Sequence, residues 1–213
     1  MKLKYFSMLL AIIGIILLYM ISRFSQAPII KISDMKDYEG KLVMIKGIVT
    51  EHHLTNYGSQ IIMINNENHS ATIIIEGKLD VEYGDKISAT GEVQKYKENW
   101  QLLVNNNRQL QILKKWNNGS LPLWQIAENP TKYLNLNINI TGYIESISNA
   151  YFLLVDLERK HSLITFYTLP KNTTIYPGQK ICASGRFTFD EINFRYMLDI
   201  CEQNHGITPI LRE

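Results

Sequence analysis

The segment Gly84-Asp85-Lys86-Ile87-Ser88-Ala89-Thr90-Gly91 returns later as Gly178-Gln179-Lys180-Ile181-Cys182-Ala183-Ser184-Gly185, with six of eight positions identical or exchanged between Ser and Thr. The same spacing, within one residue, aligns Ile45-Lys46-Gly47-Ile48-Val49 with Ile140-Thr141-Gly142-Tyr143-Ile144. It also aligns the lead-in Ile32-Ser33-Asp34 with Ile126-Ala127-Glu128. An offset of 94 to 95 residues is too long for a solenoid repeat and long enough for a small domain with its own core. The chain therefore reads as two copies of one module.

Each copy reads as short alternating segments. In the second, Leu134, Leu136, Ile138, Ile140 and Gly142 alternate with Asn135, Asn137, Asn139 and Thr141, the period of a half-buried strand. YFLLVDL (151–157), SLITFY (162–167), KICASGRFTF and FRYMLDI follow, and VMIKGIV, SQIIMIN, ATIIIEG, KISATGEV and WQLLVN match them in the first copy. Five strands per copy is the count of a small Greek-key barrel. With a Gly inside strand one, Gly-Asp or Gly-Gln before strand four and Gly at its end, the pattern resembles tandem OB-fold domains of the nucleic-acid-binding, anticodon-binding-like type. The resemblance covers residues 32 to about 205. It implies barrels that bind nucleic acids, sugars, proteins or cofactors, so it speaks to fold more than to ligand.

Ahead of the repeats, Tyr5 to Ser22 are eighteen uncharged residues. As a helix they would rise about 27 Å, nearly the roughly 30 Å of a hydrocarbon core. The alternative is a cleaved signal peptide ending at Ser25-Gln26-Ala27, opposed by the length of the apolar run, by Arg23 and by Pro28 after the cut. Lys2 and Lys4 against a single Arg23 place the N-terminus inside and the body outside, where sequons at Asn68, Asn118, Asn139 and Asn172 would be accessible. The expected architecture is thus all-β: two tandem five-stranded OB-fold barrels preceded by one N-terminal transmembrane helix. Its boundaries are anchor 1–27, first barrel 28–113, linker 114–120 and second barrel 121–213.

Charge argues against a generic polyanion binder. Of 22 basic residues, Lys2, Lys4 and Arg23 flank the apolar run, leaving 19 against 20 acidic residues. Residues 29–113 carry 9 basic and 11 acidic side chains, and residues 121–213 carry 8 and 9. Neither barrel has the basic surplus that neutralises phosphates.

The two cysteines fall near a hairpin of the second copy. Turning at Asp190-Glu191-Ile192-Asn193 and pairing Phe189 with Phe194 sets Phe187 against Tyr196, Gly185 against Leu198 and Ala183 against Ile200 on an apolar face. The same register sets Cys182 opposite Cys201, where a disulfide stabilising by roughly 3 kcal/mol fits. The alternative is a pair of reduced thiols.

No Gly-x-Ser-x-Gly, phosphate loop, His-Glu-x-x-His or Cys-x-x-Cys occurs, so the expectation is a non-enzymatic protein without metal or cofactor. His52 and His53 point to opposite faces of a strand end, and His69, His161 and His205 sit in or near turns, which is no ligand set. The ligand-binding candidates are Tyr151 and Phe152 on strand two of the second barrel and Arg186 and Arg195 beside its hairpin; alternation must turn half of Tyr151, Phe152, Phe166 and Tyr167 into the core. Three readings follow. The first is a membrane-tethered, extracytoplasmic binding or scaffold protein for a protein or polymer ligand. The second is a single-stranded nucleic-acid binder at the membrane. The third is a haem carrier, because haem chaperones are tethered OB barrels, with His205 as the one nearby candidate for attachment.

Overall fold

The computed structural model describes residues 8, 10–19, 27–67, 69–167 and 174–210. The first barrel consists of β1 (Leu42–Leu54), β2 (Ser59–Asn66), β3 (His69–Glu76), β4 (Lys86–Tyr96) and β5 (Asn99–Val104). They run in the order β1-β2-β3-β5-β4, and a further β1–β4 pairing closes the ring. The second consists of β8 (Asn137–Ile147), β9 (Tyr151–Val155), β10 (Ser162–Tyr167), β11 (Lys180–Asp190) and β12 (Arg195–Ile200). It has the same order and closes through β11–β8. In both, the third strand lies parallel to the fifth and the other ring pairings are antiparallel. This is the OB-fold connectivity, present twice. Each ring carries added edge strands: β6 (Leu110–Lys114) on β4, and β7 (Leu121–Pro122) and β13 (Gly206–Pro209) on β8 and β11.

The repeated residues are those the barrel geometry demands. A Cβ on Gly91 would sit 2.4 Å from the Leu103 carbonyl oxygen, and one on Gly185 would sit 2.8 Å from that of Asp199, so strand four can cross strand five only where it has no side chain. The first strand of each copy must serve two neighbours. It bends at a bulge between Val49 and Glu51 in β1 and between Ile144 and Ser146 in β8, the same place in both repeats. The lead-in becomes a 3-10 helix, Ile32–Tyr38, in the first copy and a short α-helix, Leu123–Glu128, in the second. Ile32 and Met35 join one core and Leu123 and Ile126 the other. Those cores are filled by the inward half of each strand, as in Ile62, Ile64, Ile73 and Ile75 or Phe152, Leu154 and Leu163, burying about 25 cal/mol per Å² of apolar surface.

Three expectations need correction. Among the described residues no helix is long and apolar enough to cross a membrane. The helix described in that region comprises residue 8 and residues 10–19, and ten residues rise only about 15 Å, half a hydrocarbon core. The spanning helix expected over 5–22, and the single-pass localisation with the body outside that was read from it, are therefore not supported. Residues 5–7, 9 and 20–22 lie outside the described residues, as do Asn68 and Asn172.

The second correction concerns the β11–β12 hairpin. Phe189 pairs with Tyr196 and Asp190 with Arg195, a register two residues away from the expected one. The cause is the Asp190 carboxylate, which accepts hydrogen bonds from the backbone N–H of Ile192 at 3.1 Å and of Asn193 at 3.2 Å, and from Asn193 Nδ2 at 2.7 Å. That Asx-type cap draws Phe194 into the turn at φ +50° rather than into the strand. A shift of two leaves each residue on its original face, so Phe187 and Leu198 are still core.

The third correction follows from the second. Cys182 lies between Thr141 of β8 and Thr208 of β13, Cys201 has passed the end of β12, and both are free thiols. Burial pushes both thiols up, with the Asp199 carboxylate adding to the effect at Cys201, which makes them poor nucleophiles.

Candidate functional site

Two regions bring polar and aromatic side chains together: the seam between the barrels and the outer face of the second barrel.

The seam is built on the loop that enters β4. Asp85 is fully buried. Its Oδ2 accepts from the Glu82 backbone N–H at 3.0 Å and its Oδ1 from the Trp116 backbone N–H at 3.0 Å, and Lys115 Nζ lies 3.1 Å away. One carboxylate thus ties the chain leaving β6 back to the first barrel. Burial disfavours the Lys115 charge, but the hydrogen bond to Asp85 and the charges of Asp85, Glu82 and Asp80 outweigh it and hold the ammonium pKa up. Trp116 Nε1 donates to Glu82, which fixes the indole over the seam.

The second barrel meets this loop directly. The Arg186 guanidinium lies 3.7 Å from the centroid of the Tyr83 ring, with its Nη1 3.8 Å from Glu202 Oε1, an arrangement of a stacked, partly desolvated cation. His52 packs on the same tyrosine with ring centroids 4.8 Å apart. Asn204 Nδ2 donates to Glu82 Oε1 at 2.9 Å. His205, whose side chain is wholly enclosed, meets the Trp116 ring edge-on at 5.9 Å. Ile48 of β1 packs against the second core. A cleft of about 520 Å³ opens beside the seam, with His52, His53, Lys78, Glu82 and Tyr83 on one wall and Glu202 to Asn204 on the other.

On the outer face of the second barrel, Tyr151 and Phe166 are cross-strand partners in β9 and β10 with ring centroids 5.8 Å apart. Their neighbours Phe152 and Tyr167 turn inward and contact each other at 5.3 Å, with Phe152 fully buried. Outward from the pair, Leu153 sits opposite Ile164 and Ile164 beside Met197, all half-buried. Arg195 opens β12 at the far end, its Nε 3.5 Å from Asp190 Oδ2. The result is an aromatic and aliphatic track ending in one cation. The equivalent positions of the first barrel, Ile61, Met63, Thr72 and Ile74 in β2 and β3, carry no aromatic ring.

The four sequence-derived candidates therefore separate. Tyr151 and Arg195 share the outer face, Phe152 belongs to the core, and Arg186 is taken up by the seam. His205 has no free imidazole nitrogen pointing outward, because its ring is enclosed and its Nδ1 accepts the backbone N–H groups of Cys201 at 3.3 Å and Glu202 at 3.2 Å; it has no geometry for attaching haem. Sequence reasoning missed Tyr83, Asp85 and Trp116. The signal lay in the repeat: Asp85 and Tyr83 stand where the second copy has Gln179 and Pro177.

No family model matches the chain, and no curated protein matches it. Solved structures of similar shape include asparaginyl-tRNA synthetase from Pyrococcus horikoshii, at 13% identity and a TM-score of 0.37, covering 48% of this chain and 26% of that enzyme. Another is the telomere capping protein Ten1 from Saccharomyces pombe, at 15% identity and a TM-score of 0.31, covering 41% of this chain and 81% of Ten1. A third is the p204 HINb domain, at 10% identity and a TM-score of 0.32, covering 78% of this chain and 95% of that domain. This chain thus matches only about a quarter of the synthetase's length.

Proposed function

We propose that the chain is a non-enzymatic tandem OB-fold binding protein whose second barrel takes single-stranded nucleic acid across the outer face of β9, β10 and β12. The observation that carries the reading is the outward Tyr151–Phe166 pair at partner positions on the second and third strands of the barrel. Base stacking on such rings contributes about 1–3 kcal/mol per base and is tolerant of sequence. Leu153, Ile164 and Met197 extend the apolar floor, and Arg195 supplies one contact for a phosphate.

The charge balance sets the character of the binding. With one cation on the track and 19 basic against 20 acidic residues outside the N-terminal segment, few counterions are released, so affinity comes from stacking and depends weakly on salt. Fluorescence anisotropy of labelled single-stranded oligonucleotides against the full chain, at low and moderate salt, tests this. Binding that survives added salt and is lost in the Tyr151→Ala, Phe166→Ala double variant supports the reading. Absence of binding even at low salt removes it and leaves the face to a protein or glycan ligand.

A further inference from the structure

The seam rests on a histidine whose neutral form is required. His205 Nδ1 accepts two backbone N–H groups, from Cys201 and Glu202, so the proton of the neutral ring sits on Nε2. Nε2 has no hydrogen-bond partner among the described residues, with Glu202 Oε2 3.6 Å away. A second proton can enter only at Nδ1, where it would face two N–H donors. The 201–205 turn must then open.

That turn is what the first barrel grips. Asn204 donates to Glu82 and His205 itself lies against Trp116, while Glu202 pairs within the second barrel with Arg186, whose guanidinium stacks on Tyr83 of the first. We propose that the seam is an acid-sensitive joint: protonation of His205 opens the 201–205 turn, withdraws Asn204 and Glu202 from Glu82 and Arg186, and lets the two barrels part. This joint is independent of what the outer face binds.

The charges around His205 act in both directions. Glu202 of its own turn, Asp199 of β12 and Glu82 of the first barrel favour the imidazolium, whereas Arg186 of β11 and burial oppose it, and burial is the largest effect. His52, across the seam, is likewise pushed down mainly by burial and also by Arg186, against the carboxylates of Glu202, Glu82 and Asp85. Both rings are therefore held below the ordinary imidazole value of 6.5. A group depressed in the folded state contributes stability that is complete above its unfolded value and is lost on acidification. The joint is closed above about pH 6.5 and loosens below it.

The full-length chain, titrated from about pH 7.5 to about pH 5.0, provides the test. The indole Nε1–H resonance of Trp116, identified by its loss in Trp116→Phe, reports the hydrogen bond to Glu82, and small-angle scattering reports barrel separation. The expected result is that both change together below pH 6.5, in step with the ring shifts of His205. In His205→Asn, whose side-chain oxygen replaces Nδ1 as acceptor and does not titrate, the joint should stay closed throughout. An unchanged wild-type resonance and scattering profile over this range overturns the proposal. So does a wild-type transition out of step with His205 titration, a readout that stands even where His205→Asn does not fold. A His205→Asn transition at the wild-type pH overturns it equally.

Discussion

The loop that enters strand four occupies the same place in the two barrels, yet it docks in one and faces open space in the other. In the first barrel a Cβ on Gly84, at φ +90°, would stand 2.7 Å from the Asn137 carbonyl oxygen and 3.0 Å from Trp116 Cβ. In the second, a Cβ on Gly178, at φ +83°, would meet no atom of the described residues within 4 Å. The Asp85 carboxylate gathers two backbone N–H groups and Lys115, while among the described residues the side chain of its counterpart Gln179 accepts only the Tyr176 backbone N–H at 3.2 Å. On the receiving side Arg186 stacks on Tyr83, whereas the matching position of the first barrel is Glu92. Duplication kept what the ring needs, the turn glycine and the apolar strand, and left the outward residues free to diverge. The chain consequently docks first barrel onto second.

Substitutions at paired positions can break this comparison. Asp85→Ala strands Lys115 and two backbone donors and should cost about 3 kcal/mol of unfolding stability, below the extreme for buried ion pairs because Lys115 is one-third exposed. Gln179→Ala should cost under about 0.5 kcal/mol. Equal shifts of the denaturant midpoint for the two variants would erase the distinction. Gly84→Ala combines a left-handed backbone with a clash across the seam and should lose about 2 kcal/mol, against about 1 kcal/mol for Gly178→Ala, where only the backbone is strained. Thermal unfolding of both distinguishes them, and a larger loss for Gly178→Ala would mean the seam is not where Gly84 acts.

The outer faces offer a second contrast. Removing Tyr151 and Phe166 should weaken oligonucleotide binding by about tenfold or more, the equivalent of one lost stacked base, while Met63→Ala on the ringless face of the first barrel should leave anisotropy titrations unchanged. Comparable losses would spread the site over both barrels. The smallest effect is expected at Arg195, whose side chain is 42% exposed beside Asp190. Arg195→Ala should leave the unfolding midpoint in place and reduce the salt slope of binding by less than one charge; a steeper change would make Arg195 more than a terminal contact.

Much of this fold is legible in the residues. Period-two alternation requires Tyr151 and Phe152 to face opposite ways and puts Ile62, Ile64, Ile73 and Ile75 in the core, because a strand has only two faces. The glycines common to the repeats mark where strands cross too closely for a side chain. The hairpin register was not legible, since Asp190 captures the turn through its own hydrogen bonds and moves it one position along, drawing Phe194 in while Asp190 joins the strand, which separates Cys182 from Cys201. Hydropathy over residues 5–22 likewise indicated a longer helix than the described residues form.

The sequence by itself determined that the chain holds two five-stranded barrels, that alternate positions of their strands face inward, and that neither barrel carries a basic surplus. These follow from local periodicity and composition, which need no knowledge of what lies across the molecule. Only the tertiary structure decided the seam. Arg186 has an outward position on β11 like many others, and it becomes a structural residue because Tyr83, more than a hundred positions earlier in the chain, is packed over it at 3.7 Å. Contacts between separately folded cores depend on how the two bodies are oriented, and no strand period encodes that orientation.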